Sequence, residues 1–495
     1  MRFNILIGGK AGQGANVLAL LVGRALVKQG YYVFMSREYQ SLIRGGHNFN
    51  VLTFSDNEVR SNDSKFDILV CLDENTKKIH KRNLSKSGIV LNSSQGTMFF
   101  AGSLFKVLGL DFNLLENELR NLRNFDENIK SAKEGYNAEK RKIDIPKVEN
   151  PGREFISGTQ GISKGALESG LDLYFAYPMT PATPLLSELA ENQFNHNFLV
   201  FEPENEISAI NMALGAAITG AKSMTGTSGG GFDLMTEALS MSGQAEIPIV
   251  VYLASRPGPS TGLATCTGQG DLQLARHSGH GEFFRLVVAP GDSVEASELT
   301  SECFYFSQKY KIPSILLGDK HLAESFYTIN EKPKITKSEK TTSLMRYNSY
   351  EHTKTGESTE DAEIIKKNFD ARKEKQEKIE KDAERFKMFK IFGRRDSKNL
   401  VIGWGSTKGA ILDAINGLDA RFLQVLYIEP FSRRIKSELE KAEKIIIIEN
   451  SATGMIADLI REKTGILIES KNKILKYDGM PFLADELKKE IQKRI

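Results

Sequence analysis

Cysteine is scarce: Cys71, Cys266 and Cys303 are scattered over 495 residues. That argues against a disulfide framework and for a reducing cytoplasm. There is no CxxC pair. A four-thiolate iron–sulfur cluster needs one more cysteine than the chain has, so the chain alone cannot supply one. An excess of charge of one sign is also missing. The 66 basic and 63 acidic residues leave a net +3, too near neutral to suggest a nucleic acid or an anionic membrane as partner. Basic residues form no block beside aromatics. Long apolar runs are absent: "IPIVVYLA" (Ile247–Ala254) is far short of the ~20 residues that span a bilayer. The apolar stretch in "MRFNILIGGK" is too short for a signal peptide. A soluble, cytoplasmic protein is therefore expected. Apolar residues at 40% and charged residues at 26% allow large cores under a soluble surface. The length suggests about three domains of roughly 150 residues each.

Along the chain, residues 1–150 read as one α/β unit. "RFNILIGG", "YYVFMS", "DILVCLD" and "SGIVLNSS" are strand-like, and "ANVLALLVGRALVKQG" has helical apolar spacing that ends at Gly30. Alternating strands and helices predict a parallel sheet with crossover helices. "IPKVENPGRE" (Ile145–Glu154) reads as a linker. A second α/β unit, residues 151–345, has strands in "LDLYFAY", "NFLVFE", "KSMTGT", "IPIVVYLA", "FRLVVAP" and "KIPSILLGD". Residues 346–396 are dense in Glu and Lys and are expected to form a solvated helical linker with i,i+4 ion pairs. A third, smaller α/β domain, residues 397–495, has strands in "LVIGWGS", "FLQVLYIE" and "KIIIIENS".

Several stretches carry chemistry. "GGKAGQGAN" around Gly9–Asn16 sits between a strand and a helix, where a phosphate could meet backbone N–H groups. Its dinucleotide fingerprint lacks the third glycine, although Glu38 lies where a ribose-binding acid could sit. A tight turn without a ligand explains it equally well. Arg44, Gly45, Gly46 and His47 make either an anion-binding loop or an ordered interface loop.

"FEPENEISAINMALGAAITGAKSMTGTSGGG" holds more information. Asn205 can cap a helix, Glu206 falls in its first turn, and the helix is rich in small residues. Glu202, Glu204 and Glu206 crowd one turn, so repulsion and burial should raise at least one pKa. Acids that stabilise a helix dipole are the plainer reading of this stretch alone. In "YFAYPMTPATPLL", Pro178, Pro181 and Pro184 stiffen a turn bearing Thr180 and Thr183. In "SRPGPSTGLATCTGQGDLQLARHSGHGE", Arg256 is a candidate carboxylate clamp. His277 and His280 have no further ligands to complete a metal set and are expected to hydrogen-bond.

Together these stretches resemble the 2-oxoacid:ferredoxin oxidoreductases over nearly the whole chain. "GGKAGQGAN", "SLIRGGHN" and "DILVCLDENT" resemble the gamma unit. "GTQGISKGALESG", "YPMTPATPLL", "ENEISAINMALGAAITGAKSMTGTSGGG" and "GPSTGLATCTGQGDL" resemble the thiamine-pyrimidine domain of the alpha unit. The last domain, ending in "ILKYDGMPF", is similar to a transketolase C-terminal-like domain. The resemblance implies three α/β domains in a fused gamma–alpha subunit. It also implies coenzyme A-dependent oxidative decarboxylation of a 2-oxoacid, with electrons passing to ferredoxin. Glu206 would contact the aminopyrimidine of thiamine diphosphate. Pro178, Ser228, Gly229 and Gly230 would line the cofactor groove, and Tyr177, Thr180 and Arg256 would meet the substrate.

The family's GDG motif for diphosphate and Mg²⁺ is missing; only GDL, GDS and GDK occur, at Gly270, Gly291 and Gly318. A separate beta subunit is therefore expected to bring the diphosphate site, Mg²⁺ and a [4Fe–4S] cluster. No metal site is expected on this chain. A dimer of gamma–alpha/beta heterodimers is implied. Gly268 stands where relatives commonly carry an acid. The fusion and "HSGHGEFFRLVVAPGD" favour 2-oxoglutarate, with pyruvate, branched-chain 2-oxoacids and indolepyruvate open. A nicotinamide dehydrogenase built on residues 1–70 and a non-catalytic scaffold are the rival readings.

Overall fold

The structure is a computed structural model that describes residues 1–40, 46–146, 148–149, 152–341 and 348–495. The chain is mixed α/β and divides into two compact units. Among the described residues, no helix is long and apolar enough to cross a membrane.

The first unit comprises Met1–Ser157, Ser325–Glu331 and Leu483–Lys489. Its seven-stranded sheet runs in the order Leu84–Asn92, Phe66–Cys71, Arg2–Lys10, His47–Ser55, Tyr32–Tyr39, Phe326–Ile329, Glu154–Ser157. Only the first three strands are mutually parallel; the others pair antiparallel. The all-parallel expectation for residues 1–150 is thus corrected. Too few residues separate Tyr39 from His47 for a crossover, and a short connection forces an antiparallel pair. His47, which reads as part of a loop, opens the strand His47–Ser55; the polar start "HNFN" masks the apolar alternation that follows. Helices Ala15–Lys28 and Thr97–Leu108 pack on this sheet through Leu18, Val22, Leu26, Phe100 and Leu104, and helix Phe125–Ala138 packs against Thr97–Leu108. The last two helices touch backbone to backbone: a Cβ on Gly102 would collide with the Ala132 carbonyl, and one on Gly135 with the Phe99 carbonyl.

The second unit comprises Gly158–Glu324, Lys332–Phe482 and Glu490–Ile495 and contains two sheets. The larger orders Tyr427–Glu429, Leu286–Val288, Pro313–Asp319, Ile249–Ser255, Ser223–Thr227, Leu173–Phe175, Leu199–Phe201. It is parallel except at Tyr427–Glu429. Ile249–Ser255 is buried along its whole length, as a central parallel strand covered on both faces must be. The smaller sheet orders Phe389–Gly393, Arg421–Val425, Asn399–Trp404, Lys444–Glu449, Lys473–Leu475.

Two features differ from the sequence reading. "FLQVLYIE" breaks at Leu426, and its two halves join different sheets. The charged segment forms the helix Ala362–Ala383, but this helix is not simply solvated. Ile379 and Ala383 are buried, and Asp382 accepts hydrogen bonds from Tyr305 (2.8 Å), Tyr310 (3.0 Å) and Lys309 (2.7 Å). The strand Phe389–Gly393 follows within the same segment and forms the edge of the smaller sheet.

Candidate functional site

The second unit gathers its chemistry at the carboxyl ends of its parallel strands, where open α/β sheets bind ligands. Ser223–Thr227 ends at Ser228, and the glycines at 229–231 start the next helix. Ile249–Ser255 ends just before Arg256. These two strand ends and the loop of residues 256–271 line a cavity of about 660 Å³. Its other wall is Asn450–Thr453, Met455 and Tyr477.

Glu206 is the first residue of the helix Glu206–Ile218, and the Asn205 side chain caps that helix by accepting from Ser208 N at 2.8 Å. The Glu206 side chain is 4% exposed, and its Oε1 has no hydrogen-bond partner among the described residues. A buried carboxylate oxygen without a partner is costly, so its retention suggests that a ligand supplies the partner. Gly231 makes the position possible, because a Cβ there would stand 2.6 Å from Glu206 Oε1. The Ser228 hydroxyl is likewise buried without a partner among the described residues. Gly230 faces open space. The three acids do not converge as expected: Glu202 and Glu204 are exposed. Glu204 moves down in pKa, not up, because Ser208 Oγ donates to its carboxylate.

Arg256 is 9% exposed and donates from Nη1 to the Thr180 carbonyl oxygen, so the structure brings together two residues assigned to the substrate. The remaining guanidinium donors stay available, since an arginine carries five. Burial lowers its pKa and Asp271 opposes this. Tyr177 (39% exposed) and Pro178 lie at the surface of the same turn. Ser228, Gly229, Gly230 and Arg256 line the cavity; Glu206, Thr180, Tyr177 and Pro178 do not.

Three contributors were missed in the sequence. Asp271 lines the cavity and accepts from Ser255 Oγ at 2.8 Å. Thr267 also lines it, and its buried hydroxyl has no partner among the described residues. Glu449 sits behind the opposite wall and is fully buried. It accepts from Trp404 Nε1 (3.0 Å), Met455 N (2.8 Å) and Ile456 N (2.9 Å), and burial raises its pKa. Gln269 locks the 256–271 loop to that wall. Its side chain donates to the Trp404 carbonyl (2.9 Å) and accepts from Asn450 N (2.8 Å). A signal was available only for Asp271, an acid just before the helix Leu272–His277.

Gly268 packs on Pro257, and a Cβ there would lie 2.9 Å from Pro257 Cγ, so an acid at this position would force the loop to shift. His277 and His280 are not among the cavity-lining residues. His280 binds Ser240 Oγ through its backbone N–H (2.8 Å). Burial and Arg276 lower the His277 pKa. Among the described residues, no cluster of three or more His, Cys, Asp or Glu could hold a metal ion.

In the first unit, Arg44 and Gly45 lie outside the described residues. Gly46 needs glycine, with φ at 136°. His47 begins a strand, and its Nε2 is 2.8 Å from His80 Nε2. The 9–16 loop is held by Ala11 N to the Gly46 carbonyl (3.1 Å) and Thr97 Oγ1 to the Gln13 carbonyl (2.6 Å).

Comparison with known proteins adds the following. A family described as "Pyruvate flavodoxin/ferredoxin oxidoreductase, thiamine diP-bdg" matches residues 164–390, and "Pyruvate ferredoxin/flavodoxin oxidoreductase" matches 4–98. The 2-oxoacid:ferredoxin oxidoreductase subunit alpha of a Sulfolobus species is 30% identical over 616 positions, covering 100% of this chain and 97% of that protein. The 2-oxoglutarate synthase subunit KorA of Archaeoglobus fulgidus is 35% identical over 175 residues, or 35% of this chain and 51% of that protein. In fold, the chain is similar to the 2-oxoglutarate:ferredoxin oxidoreductase from Magnetococcus marinus. The TM-score is 0.87 at 22% identity, covering 100% of this chain and 99% of that one.

Proposed function

Since the chain belongs to the 2-oxoacid:ferredoxin oxidoreductases as an alpha subunit, we propose that it is a fused gamma–alpha subunit. Working with a separate beta subunit, it would convert a 2-oxoacid and coenzyme A to acyl-CoA and CO₂, with two electrons passing to ferredoxin. The domains would be a gamma-type unit (1–150), a pyrimidine-binding domain (151–345), a linker (346–396) and a transketolase C-terminal-like domain (397–495).

The observation that carries the reading is the Glu206 carboxyl, buried at a helix start with one oxygen unsatisfied. Its surroundings fit thiamine diphosphate: an unpartnered acid, an unpartnered Ser228 hydroxyl and glycines that leave room. Glu206 would hold a proton at the pyrimidine ring nitrogen, and Pro178, Ser228, Gly229 and Gly230 would line the groove. When bound, the cofactor supplies a nucleophilic carbon and an electron sink. Arg256 would fix the substrate carboxylate by paired hydrogen bonds. The Thr180 hydroxyl would meet the 2-oxo oxygen, and Tyr177 would border the substrate. Fixing both groups places the scissile bond before reaction.

Partner binding has a matching surface. Ile207 and Met212 on the helix of Glu206, and Leu234 on the helix that follows Ser228, are exposed apolar side chains, and Phe201 is exposed at the end of the preceding strand. A beta subunit on that surface would complete the groove and bring the diphosphate site, Mg²⁺ and the [4Fe–4S] cluster. A dimer of such heterodimers would be the whole enzyme. 2-Oxoglutarate is the favoured substrate, in keeping with the name of the KorA relatives. Pyruvate, branched-chain 2-oxoacids and indolepyruvate are the alternatives.

The test is anaerobic co-expression with the neighbouring thiamine-enzyme subunit, assaying 2-oxoacid- and coenzyme A-dependent reduction of ferredoxin or a viologen. Activity in the mixture and in neither chain alone supports the split site, and the substrate panel names the 2-oxoacid. An assembled, cofactor-loaded but inactive mixture favours the scaffold reading instead.

A further inference from the structure

Asp271 has no place in the function proposed above, and its geometry is unusual. It occupies the N-cap position of the helix Leu272–His277, where an aspartate ordinarily accepts from the first-turn N–H groups. Its side chain does not cap. The carboxylate turns to the carboxyl end of the strand Ile249–Ser255, where Oδ2 accepts from the fully buried Ser255 hydroxyl at 2.8 Å. Ser255 is the residue before Arg256. The same carboxylate packs under the glycine turn: a Cβ on Gly229 would stand 2.9–3.1 Å from its three carboxyl atoms. One side chain therefore touches the strand end that carries the guanidinium and the turn that carries the Ser228 hydroxyl, and it borders the cavity that both line.

We propose that Asp271 is a positioning residue for the 2-oxoacid site. It fixes the Ser255–Arg256 strand end against the Gly229 turn, so that the guanidinium meets the substrate carboxylate in one orientation. A helix cap has been given up for this contact, which a purely structural aspartate at that position would have kept. The Asp271 carboxyl faces Arg256; burial raises its pKa and the exposed Asp233 adds to this, while the Ser255 hydrogen bond and the Arg256 charge oppose it. The proposal rests on the reading of Arg256 as the carboxylate clamp.

The experiment uses the reconstituted complex and compares Asp271→Asn, Asp271→Ala, Gly229→Ala, Ser255→Ala and the double variant Gly229→Ala/Asp271→Ala. Asp271→Ala should raise KM for the 2-oxoacid about tenfold, the scale of a lost hydrogen bond to a charged group, and Asp271→Asn, which keeps an acceptor but not the charge, should raise it less. KM for coenzyme A and the melting temperature should stay near wild type. Ser255→Ala, which removes the donor and leaves the charge, should shift the same KM in the same direction. Gly229→Ala should do so by pushing the carboxylate aside, and its effect should shrink once Asp271 is alanine, a coupling that the mutant cycle isolates. An unchanged 2-oxoacid KM in Asp271→Ala and Ser255→Ala overturns the proposal, as does strict additivity of Gly229→Ala and Asp271→Ala. A wild-type complex inactive on every 2-oxoacid would end the parent reading instead.

Discussion

Arg256 donates a hydrogen bond to the backbone carbonyl of Thr180. The two residues lie on loops far apart in the sequence, and this bond ties the proline-rich turn to the end of a central strand. The bond goes to a neutral carbonyl, while Asp271, whose charge faces the guanidinium, is hydrogen-bonded by Ser255. Arg256→Lys keeps the charge but loses the planar fork. It should lower kcat/KM for the 2-oxoacid by about a hundredfold, as loss of a buried charged hydrogen bond does. Steady-state kinetics on the reconstituted complex would show it. A lysine enzyme with wild-type kcat/KM would remove Arg256 from the site.

Gly231 and Glu206 form a second tight contact. Gly231→Ala would push a methyl group against the Glu206 side chain and Thr227 Oγ1. The carboxyl would be displaced, and kcat should fall by about a hundredfold, the cost of misplacing a reacting group by about 1 Å. In a Glu206→Ala background the same change should add little. Gly230→Ala, built into open space, is the control and should fold as the wild type does.

These contacts show what the sequence could and could not reveal. Ile249–Ser255 was recognisable as a strand because it lies in an unbroken apolar run, as a buried parallel strand does. Glu206 was recognisable because Asn205 is a standard cap at a helix start. The role of Gly231 was not, since three consecutive glycines look alike until one of them meets a side chain from another element. Asp271 precedes a helix yet does not cap it, which only the structure shows. The transfer of Tyr427–Glu429 to the larger sheet depends on a partner remote in sequence, which local patterning does not encode.

A prediction on pH follows from Glu302. Burial pushes its carboxyl up to about 7, with Glu298 adding to the shift, although the Tyr427 hydroxyl donates to it. An unfolded glutamate titrates near ~4.3. Between the two values the folded chain keeps a proton that the unfolded chain has released. Stability therefore falls as pH rises through this window and levels off above it. Glu302→Gln removes that slope. Its melting temperature relative to wild type should be higher at about pH 8 than at about pH 5. Parallel melting profiles would contradict the assignment.

The first unit offers a packing test. Gly102→Ala would drive a methyl group into the Ala132 carbonyl. It should destabilise that unit by about 1–3 kcal/mol, as overpacking does. Gly96→Ala, with nothing within 4 Å of the added Cβ, should cost a few tenths of a kcal/mol at most, on the order of other surface substitutions. Denaturant unfolding of both variants checks the contrast. Equal stabilities would mean that the two helices are not in backbone contact.

The central claim is that Glu206 serves the cofactor. The most direct measurement is 2-oxoacid- and coenzyme A-dependent ferredoxin reduction by the assembled complex carrying Glu206→Ala or Glu206→Gln, with assembly and cofactor content measured on the same samples. The account predicts that both variants assemble and lose activity by about a hundredfold or more, on the scale of a missing acid–base group. Activity that survives in Glu206→Ala would contradict it.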